Sequence, residues 1–364
     1  MGTRNIIVIG ASAGGFEALK LLVKGLPQDL QASVFIVWHI SPDVTGILPQ
    51  VLERAGRLPA KNAEDGEPIE PSRIYVAPPD HHLLIEDSRV RVTRGPKENR
   101  FRPAVDPLFR SAAYSHGASV IGVILSGALD DGTSGLWTVK RHGGVAVVQD
   151  PLDAEIPSMP RNAMREVEVD HVVPVAEMAD LLVRLSREQA AKPFKEAVVM
   201  QENDKQTEFE IKAAAEDRVT GAVMKFGELT PFTCPDCHGV LFRLRDGDRP
   251  RFRCHTGHAF SSDSLLTTVT ESIEASLWNA IRCIEESVML LNHLGDHFSN
   301  GNQANLAALY YKKAFEAEQR GEVVRSAVMK HERMSNESLR EQAEGNGQPD
   351  NGSSGGTAKK SQTQ

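Results

Sequence analysis

The chain has 364 residues and a formal net charge of -8, from 41 lysines and arginines against 49 aspartates and glutamates. This length predicts two or three modules, and the acidic balance argues against nucleic acid or an anionic membrane as the general partner. Hydrophobic residues make up 40% of the chain and charged residues 25%, which excludes a wholly disordered chain. No window approaches the roughly 18 apolar residues of a membrane span. Because the N-terminus also lacks the pattern of a signal peptide, we expect a cytoplasmic protein without membrane insertion.

The first half of the chain predicts a sheet with helices between its strands. Apolar runs rich in β-branched residues predict buried parallel strands at 5–9, 33–38, 73–77, 120–125 and 145–149. Amphipathic segments predict helices at 15–23, 44–54, 103–115, 133–141 and 174–185. Residues 83–93 predict an antiparallel hairpin added to the sheet. The whole pattern is typical of an α/β fold with a doubly wound, mostly parallel sheet.

The second half of the chain changes in character. After a first domain at 1–187, the sequence predicts a linker at 188–231 and a cysteine-containing module at 232–260. A helical extension at 261–342 and a tail at 343–364 follow. The linker is charged and weakly periodic, and the tail is rich in Gly, Ser, Asn and Gln, so we expect the tail to be disordered. Apolar residues recur at spacings of three and four along the extension, with a break at Gly301 and Asn302. This pattern predicts an α-hairpin.

Three predicted strand ends carry the residue types of a serine hydrolase. Residues 10–14 read G-x-S-x-G at the first strand-to-helix turn, a pattern that lifts the Ser12 hydroxyl above the sheet. His39 follows the second strand, and Asp131 lies in the small-residue turn after the strand at 120–125. Because the C-terminal ends of parallel strands meet at one edge of the sheet, these side chains could form a catalytic triad.

Each of these residues also has a structural interpretation. A histidine at a strand end is often a packing residue, and an aspartate before glycine is a common turn residue or helix cap. A phosphate-binding turn at residues 10–15 is another functional interpretation, but the spacing G-x-G-x-x-G is absent because position 12 is serine. The three residue types at three strand ends together favour the triad. Their chain order, Ser, His, Asp, differs from the order in α/β-hydrolases.

Short motifs run in order along residues 4–187. They are Ile7-Val8-Ile9-Gly10-Ala11-Ser12-Ala13-Gly14-Gly15, His39, Ala63-Glu64-Asp65-Gly66, Ile74-Tyr75-Val76-Ala77-Pro78, Arg102-Pro103-Ala104-Val105-Asp106, Gly122-Val123-Ile124-Leu125-Ser126-Gly127, Asp130-Asp131-Gly132 and Met159-Pro160. Together they resemble the catalytic domain of CheB-type chemotaxis protein-glutamate methylesterases. The resemblance implies hydrolysis of glutamate γ-methyl esters on chemoreceptors with release of methanol, and in many members deamidation of receptor glutamines.

The resemblance also implies catalytic roles for individual residues. Ser12 matches the nucleophile, His39 the general base, and Asp131 the carboxylate that orients the imidazole. Asp130 is then a solvated neighbour or a helix cap. No cofactor is expected for catalysis.

Three further residues are candidates for the oxyanion hole or for substrate contact. Ala128 matches the position whose backbone N–H serves the oxyanion hole, and Ala13 lies directly after the nucleophile. Ala128 replaces a common Met and Ala13 a frequent Thr, which changes the shape of the pocket. Arg102 is a candidate contact for an acidic receptor surface, or else only a residue that flanks the helix begun by Pro103.

The resemblance is to a stand-alone form of the family. The catalytic domain begins at residue 5 with no receiver domain before it, so we expect another mode of regulation. Expected partners are a methylated chemoreceptor or receptor-like protein, with a receptor methyltransferase or a separate response regulator as further candidates. The alternative function is a catalytically weak adaptor that binds a receptor or methyltransferase.

The cysteine cluster predicts a metal site. Cys234 and Cys237 form one pair, and Cys254 and His258 form a second pair after an interval of sixteen residues. This spacing predicts a structural Cys3His zinc site in a zinc-ribbon-like module. His255 is a competing fourth ligand, and a metal-free turn in which the cysteines merely pack is the alternative.

Overall fold

A computed structural model describes residues 3–39, 47–190, 199–215, 223–246 and 249–345. Residues 44–46 of the predicted helix at 44–54 lie outside the described residues, as do residues 346–364 of the predicted tail. Along the described part of the chain, no helix is both long enough and apolar enough to cross a membrane.

The first domain contains a parallel sheet. Its strands are β1 (Ile6–Ala11), β2 (Ser33–Trp38), β3 (Ala60–Asn62), β4 (Ile74–Val76), β5 (His82–Glu86), β6 (Arg89–Thr93), β7 (Val120–Ile124), β8 (Val145–Gln149) and β9 (His171–Val173). All except β5 and β6 pair in parallel, in the order β3, β4, β2, β1, β7, β8, β9. Both neighbours of β1 are parallel to it, so the turns that follow β1, β2 and β7 lie at one edge of the sheet.

Helices cover both faces of this sheet. They are α1 (Gly15–Gly25), α2 (Leu48–Ala55), α3 (Val105–His116), α4 (Thr133–Arg141), α5 (Ser158–Glu166) and α6 (Val175–Arg187). Ile7 and Ile9 of β1 belong to a buried core with Leu19 of α1, whereas Val8 belongs to a second core with Phe109 of α3. Because alternate residues of a strand point to opposite faces, β1 must be apolar throughout. This arrangement confirms the predicted doubly wound α/β fold.

Most predicted elements lie within a few residues of the observed ones. The strands predicted at 33–38 and 145–149 coincide with β2 and β8. The predicted hairpin is also present, but its attachment was wrong: β5 and β6 form a separate two-stranded sheet. Leu83 and Ile85 of β5 pack against α3 instead of extending the central sheet. The strands β3 and β9 were not predicted. Like β4 they have three residues, but none of theirs is buried, so neither leaves the buried apolar run that marks β4.

The second half contains a small antiparallel sheet and long helices. The elements are α7 (Val199–Ala215), α8 (Val223–Phe226), β10 (Gly227–Thr233), β11 (Val240–Asp246), β12 (Arg249–Cys254), β13 (Ala259–Ser261), α9 (Ser262–Asn300), α10 (Ala304–Met329) and α11 (Asn336–Gly345). The strands β10 to β13 pair antiparallel in chain order, and we call them the ribbon sheet. Ion pairing of Glu285 with Arg325, and the bond from Tyr311 to Asp296, show that α9 and α10 run antiparallel. The predicted α-hairpin is therefore present, with its break after Asn300.

Residues 199–215 of the predicted linker form a packed helix, whereas its residues 191–198 and 216–222 lie outside the described part of the chain. Phe209 and Ala213 of α7 are buried against Phe242 and Leu244 of the ribbon sheet. On its other side α7 contacts the first domain, where the Thr93 hydroxyl donates a hydrogen bond of 2.8 Å to the Ala214 carbonyl. The helix therefore fills the space between the first domain and the ribbon sheet.

Candidate active site

The turn between β1 and α1 presents Ser12. The Ser12 N–H donates to the Ser126 carbonyl at 2.9 Å, and the Trp38 indole N–H donates to the Ser12 carbonyl at 3.0 Å. Gly14 has a φ of 71°, which glycine adopts without strain, and a Cβ there would lie 2.6 Å from the Ser126 hydroxyl oxygen. The small residues of the G-x-S-x-G turn therefore allow the close approach that fixes Ser12.

The structure brings together the three residues that the sequence predicts as a triad. Ser12 Oγ lies 3.2 Å from His39 Nδ1, and His39 Nε2 lies 2.8 Å from Asp131 Oδ2. The side chains of His39 and Asp131 are only 3% and 2% exposed. The imidazole thus links the hydroxyl to a buried carboxylate, with one ring nitrogen toward each.

Hydrogen bonds hold the Asp131 carboxylate in place. The Val105 N–H donates to Oδ2 at 2.6 Å, and the Asn99 amide donates to Oδ1 at 2.8 Å. Burial on its own would raise the pKa of Asp131, but the hydrogen bonds from His39, Val105 and Asn99 lower it overall. A charged Asp131 can accept the Nε2 proton of His39, which leaves Nδ1 as the hydrogen-bond acceptor that faces the Ser12 hydroxyl.

Asp130 has different contacts from Asp131. Its Oδ1 accepts a hydrogen bond of 2.7 Å from the Ser261 hydroxyl, and burial raises the pKa of Asp130 to about 7. The hydrogen bond to the His39 ring goes to Asp131. Of the two adjacent carboxylates, Asp131 therefore has the position of an orienting residue.

Two residues at the site were not found by sequence reasoning. Phe101 stacks on the His39 ring, with centroids 3.8 Å apart and an interplanar angle of 10°. Asn99 contacts Asp131 through its amide, as described above. Both lie in a loop without strand or helix periodicity, and no spacing in the sequence ties them to the triad.

Ala13 and Ala128, which follow Ser12 and Gly127 in the chain, are exposed residues. Among the described residues, no protein acceptor takes a hydrogen bond from the N–H of Ala13 or of Ala128. A Cβ on Gly127 would lie 2.8 Å from the Cβ of Ser12, so the turn that carries Ala128 passes directly beside Ser12. Both N–H groups are therefore unengaged hydrogen-bond donors in the turns beside Ser12.

Arg102 is engaged with the protein. Its Nε and Nη2 donate to Asp80 Oδ1 at 2.9 and 2.7 Å, and its Nη1 donates to the Gly95 carbonyl at 2.7 Å. These bonds fix the loop before α3. The contact of Arg102 with a receptor stays a prediction.

Comparisons with known proteins match the first half of the chain. A family model described as CheB methylesterase matches residues 7–182. A Leptospira interrogans chain described as a candidate protein-glutamate methylesterase/protein-glutamine glutaminase is 43% identical over 182 residues, which are 50% of this chain and 94% of that one. The chain belongs to the CheB methylesterase family.

Two further proteins each match about half of this chain. A protein-glutamate methylesterase/protein-glutamine glutaminase of Anaeromyxobacter dehalogenans is 37% identical over 182 residues, and the match covers only 53% of that protein. The crystal structure of the CheB methylesterase catalytic domain of Thermotoga maritima matches 51% of this chain and 99% of its own, with 34% identity and a TM-score of 0.48.

The predicted metal ligands meet beside the CheB-type domain. The ligand atoms of Cys234, Cys237, Cys254 and His258 all lie within 4.8 Å of one another. Cys254 Sγ lies 3.6 Å from Cys237 Sγ, close to the separation of about 3.8 Å that a tetrahedral zinc ion imposes on two thiolates. His255 is exposed, and its ring packs against Gly239. Of the two candidate histidines, His258 is therefore the one that fits as the fourth ligand.

A buried ionic cluster joins the ribbon sheet to the CheB-type domain. Arg253 Nη2 lies 2.6 Å from Glu98 Oε1, Arg251 Nη1 lies 2.5 Å from Glu210 Oε2, and Arg110 also pairs with Glu98. Each of these side chains is at most 5% exposed. Burial would raise the pKa of Glu210, but the three arginines bring it down to about 2. The two carboxylates therefore stay charged and partly balance the three buried guanidinium groups.

Removal of one buried charge should destabilise the protein. We expect Arg253→Met to lower the free energy of unfolding by about 3 to 5 kcal/mol, because Glu98 would lose a fully buried partner. Arg243→Met is the matched control on β11, since Arg243 pairs with Glu228 at the surface, and its stability should stay close to wild type. Urea unfolding followed by circular dichroism measures both. Equal stability of the two variants would show that the buried cluster does not stabilise the docked ribbon sheet.

Proposed function

We propose that this chain is a serine-dependent protein-glutamate methylesterase that hydrolyses glutamate γ-methyl esters on a chemoreceptor or receptor-like protein. The observation that carries the proposal is the array of Ser12, His39 and Asp131 within hydrogen-bond distance. Membership of the CheB family and the names of its relatives supply the substrate class.

In the first half of the reaction the glutamyl acyl group is transferred from the methoxy oxygen to Ser12. His39 Nδ1 takes the Ser12 proton as the hydroxyl oxygen attacks the ester carbonyl. The N–H groups of Ala13 and Ala128 donate to the oxyanion of the tetrahedral intermediate. When the C–O bond to the methoxy group breaks, His39 returns the proton to it, and methanol leaves behind a glutamyl ester of Ser12.

In the second half water replaces the methanol. His39 takes a proton from water as the water oxygen attacks the acyl-enzyme, and then returns that proton to Ser12 as glutamate is released. A glutamine side chain would follow the same steps with ammonia as the leaving group. The double name of the relatives supports this second substrate. The cytoplasmic location, and a methyltransferase or response regulator as further partners, stay predictions.

The experiment is to incubate the purified chain with a methylated chemoreceptor fragment. We expect one methanol to be released for each ester hydrolysed. The receptor fragment should lose the mass of one methylene group per ester, which mass spectrometry measures. The control is the same chain after its serine has been blocked with an alkyl fluorophosphonate, which should release none. Binding of the receptor without methanol release would favour the adaptor alternative and contradict the esterase.

We also propose that the Cys3His cluster holds a structural zinc ion. The support is the convergence of three sulfurs and one imidazole nitrogen, the donor set that zinc prefers in closed structural sites. Cys254 and His258 flank the turn between β12 and β13, and Cys234 and Cys237 belong to the turn between β10 and β11. The ion would therefore tie together the two turns at one end of the ribbon sheet.

Metal analysis tests the zinc site. We expect about one zinc per chain in the wild type and a loss of bound zinc in Cys234→Ser, because three ligands hold the ion far more weakly than four. Cys283→Ser is the matched control, since Cys283 is an exposed thiol on α9 outside the cluster, and it should keep its zinc. A wild-type chain without zinc, or equal zinc content in the two variants, would refute the site.

A further inference from the structure

One short loop lies between the triad and the second half of the chain. We call residues 97–101 the bridging loop. On the side of the triad, Phe101 stacks on the His39 ring at a centroid distance of 3.8 Å, and the Asn99 amide donates to Asp131 at 2.8 Å. The loop thus contacts two of the three residues that the proposed reaction uses.

On its other side the bridging loop pairs with β13. The Asn99 N–H donates to the Ala259 carbonyl at 2.8 Å, and the Ala259 N–H donates to the Lys97 carbonyl at 3.1 Å. The Glu98 side chain is held at 2.6 Å by Arg253 of β12. The backbone of the loop is therefore hydrogen-bonded to the ribbon sheet, with a buried ion pair beside it.

The Asn99 side chain uses all its hydrogen-bonding groups in this contact. Its Nδ2 donates to Asp131 at 2.8 Å and to Asp106 at 2.9 Å. Its Oδ1 accepts from the Ser261 N–H at 2.9 Å and from the Ser264 hydroxyl at 3.3 Å, which shares its proton with the Ser261 carbonyl at 3.2 Å. Two carboxylates face the NH2 group and two donors face the oxygen, so a flipped amide would lose every bond. Asn99 is 2% exposed, which shields these bonds from water. The start of α9 thus helps to fix the amide that holds Asp131.

We propose that the start of α9 and the ribbon sheet position the catalytic triad, with Asn99 as the residue through which they act on Asp131. In this arrangement Ser261 and Ser264 hold the Asn99 amide, and β13 holds the loop that stacks Phe101 on His39. Asn99 and Ser264 are positioning residues and touch no reacting atom. The inference rests on the proposed function, because it assigns a role in the same reaction to residues outside the matched region 7–182.

A double-mutant cycle tests this coupling. With 4-nitrophenyl acetate as substrate, we expect Asn99→Ala to lower kcat about 100-fold, as misplacement of a catalytic group does. Ser264→Ala should lower kcat about fivefold through loss of one hydrogen bond. In both variants KM should stay near the wild-type value, because substrate binding does not use these residues. If Ser264 acts through Asn99, then adding Ser264→Ala to Asn99→Ala should have no further effect.

The matched control is Ser262→Ala. The Ser262 hydroxyl donates to the Pro250 carbonyl at 3.0 Å, so this variant loses one hydrogen bond within the second half of the chain, without a contact to Asn99. Its kcat should equal that of the wild type. If Asn99→Ala does not fold, the comparison of Ser264→Ala with Ser262→Ala decides the proposal alone. The proposal is overturned if Ser264→Ala and Ser262→Ala have equal kcat. It is also overturned if Ser264→Ala lowers kcat by the same factor in the wild type and in Asn99→Ala.

A second measurement separates this inference from the proposed function. The rate at which an alkyl fluorophosphonate labels Ser12 reports the reactivity of the hydroxyl without any ester substrate. We expect the labelling rates of the variants to fall in the same order as kcat. If methylated receptor is not hydrolysed while the labelling rates keep this order, the substrate assignment fails and the positioning role holds. Labelling rates that are equal in all variants would contradict the positioning role.

Discussion

Replacement of Ser12 by alanine is expected to lower the kcat for methyl-ester hydrolysis by about 10⁴-fold or more, as loss of the nucleophile does in other serine triads. The Ser12 hydroxyl lies 3.2 Å from His39 Nδ1, and its oxygen is the atom that would carry the acyl group. Without it, only direct attack by water in the oxyanion hole remains. Since the hydroxyl contributes little to binding the ester, KM should stay near the wild-type value. Methanol release from a methylated receptor fragment measures both constants.

The control for this change is another serine of the same domain. The Ser115 hydroxyl of α3 donates to the Ile85 carbonyl of β5 at 3.1 Å, so Ser115→Ala also loses a hydroxyl but leaves the triad intact. Its kcat should stay within a few-fold of wild type, and both variants should unfold as the wild type does. A Ser12→Ala variant with the wild-type rate would exclude Ser12 as the nucleophile.

The sequence predicts the central sheet well because parallel strands covered on both faces leave a strong local signal. The strands predicted from apolar runs at 33–38 and 145–149 begin and end at the same residues as β2 and β8. The same topology explains why the candidate triad could be assembled from sequence. Ser12, His39 and Asp131 each follow a strand, and the ends of parallel strands meet at one edge. The candidate metal ligands were found for a similar reason, since each pair is close in sequence and joined by a tight turn.

Contacts made by docking leave no such signal. Glu98 and Arg253 are 155 positions apart, and nothing in either local sequence indicates that they share a buried ion pair. Charged residues in α7 suggest a solvated linker, yet Glu210 is buried because arginines from two other elements surround it. Asn99 is a further case, since its role depends on residues on both sides of an interface. Such partners follow from the tertiary arrangement and from no spacing along the chain.

Replacement of Asp131 by asparagine is expected to lower kcat by about 10⁴-fold while the fold is retained. The carboxylate of Asp131 accepts hydrogen bonds on both oxygens, from His39 and Val105 on Oδ2 and from Asn99 and Gly132 on Oδ1. An amide at position 131 accepts hydrogen bonds only through its oxygen. Its NH2 group must therefore face either His39 and Val105 or Asn99 and Gly132, which are all donors. If the NH2 group faces His39, the ring nitrogen Nε2 must accept, and the proton moves to Nδ1. In that tautomer His39 cannot take the proton of Ser12.

The neighbouring carboxylate provides a matched control for this change. Asp130 Oδ1 accepts from the Ser261 hydroxyl at 2.7 Å, and the carbonyl oxygen of an asparagine can accept the same bond. We therefore expect Asp130→Asn to keep kcat within a few-fold of wild type. Methanol release measures both variants, and their unfolding curves show whether either change acts through stability. If Asp130→Asn were the inactive variant and Asp131→Asn the active one, the orienting role would belong to Asp130, and the link from Asn99 to the triad would have no effect on the reaction.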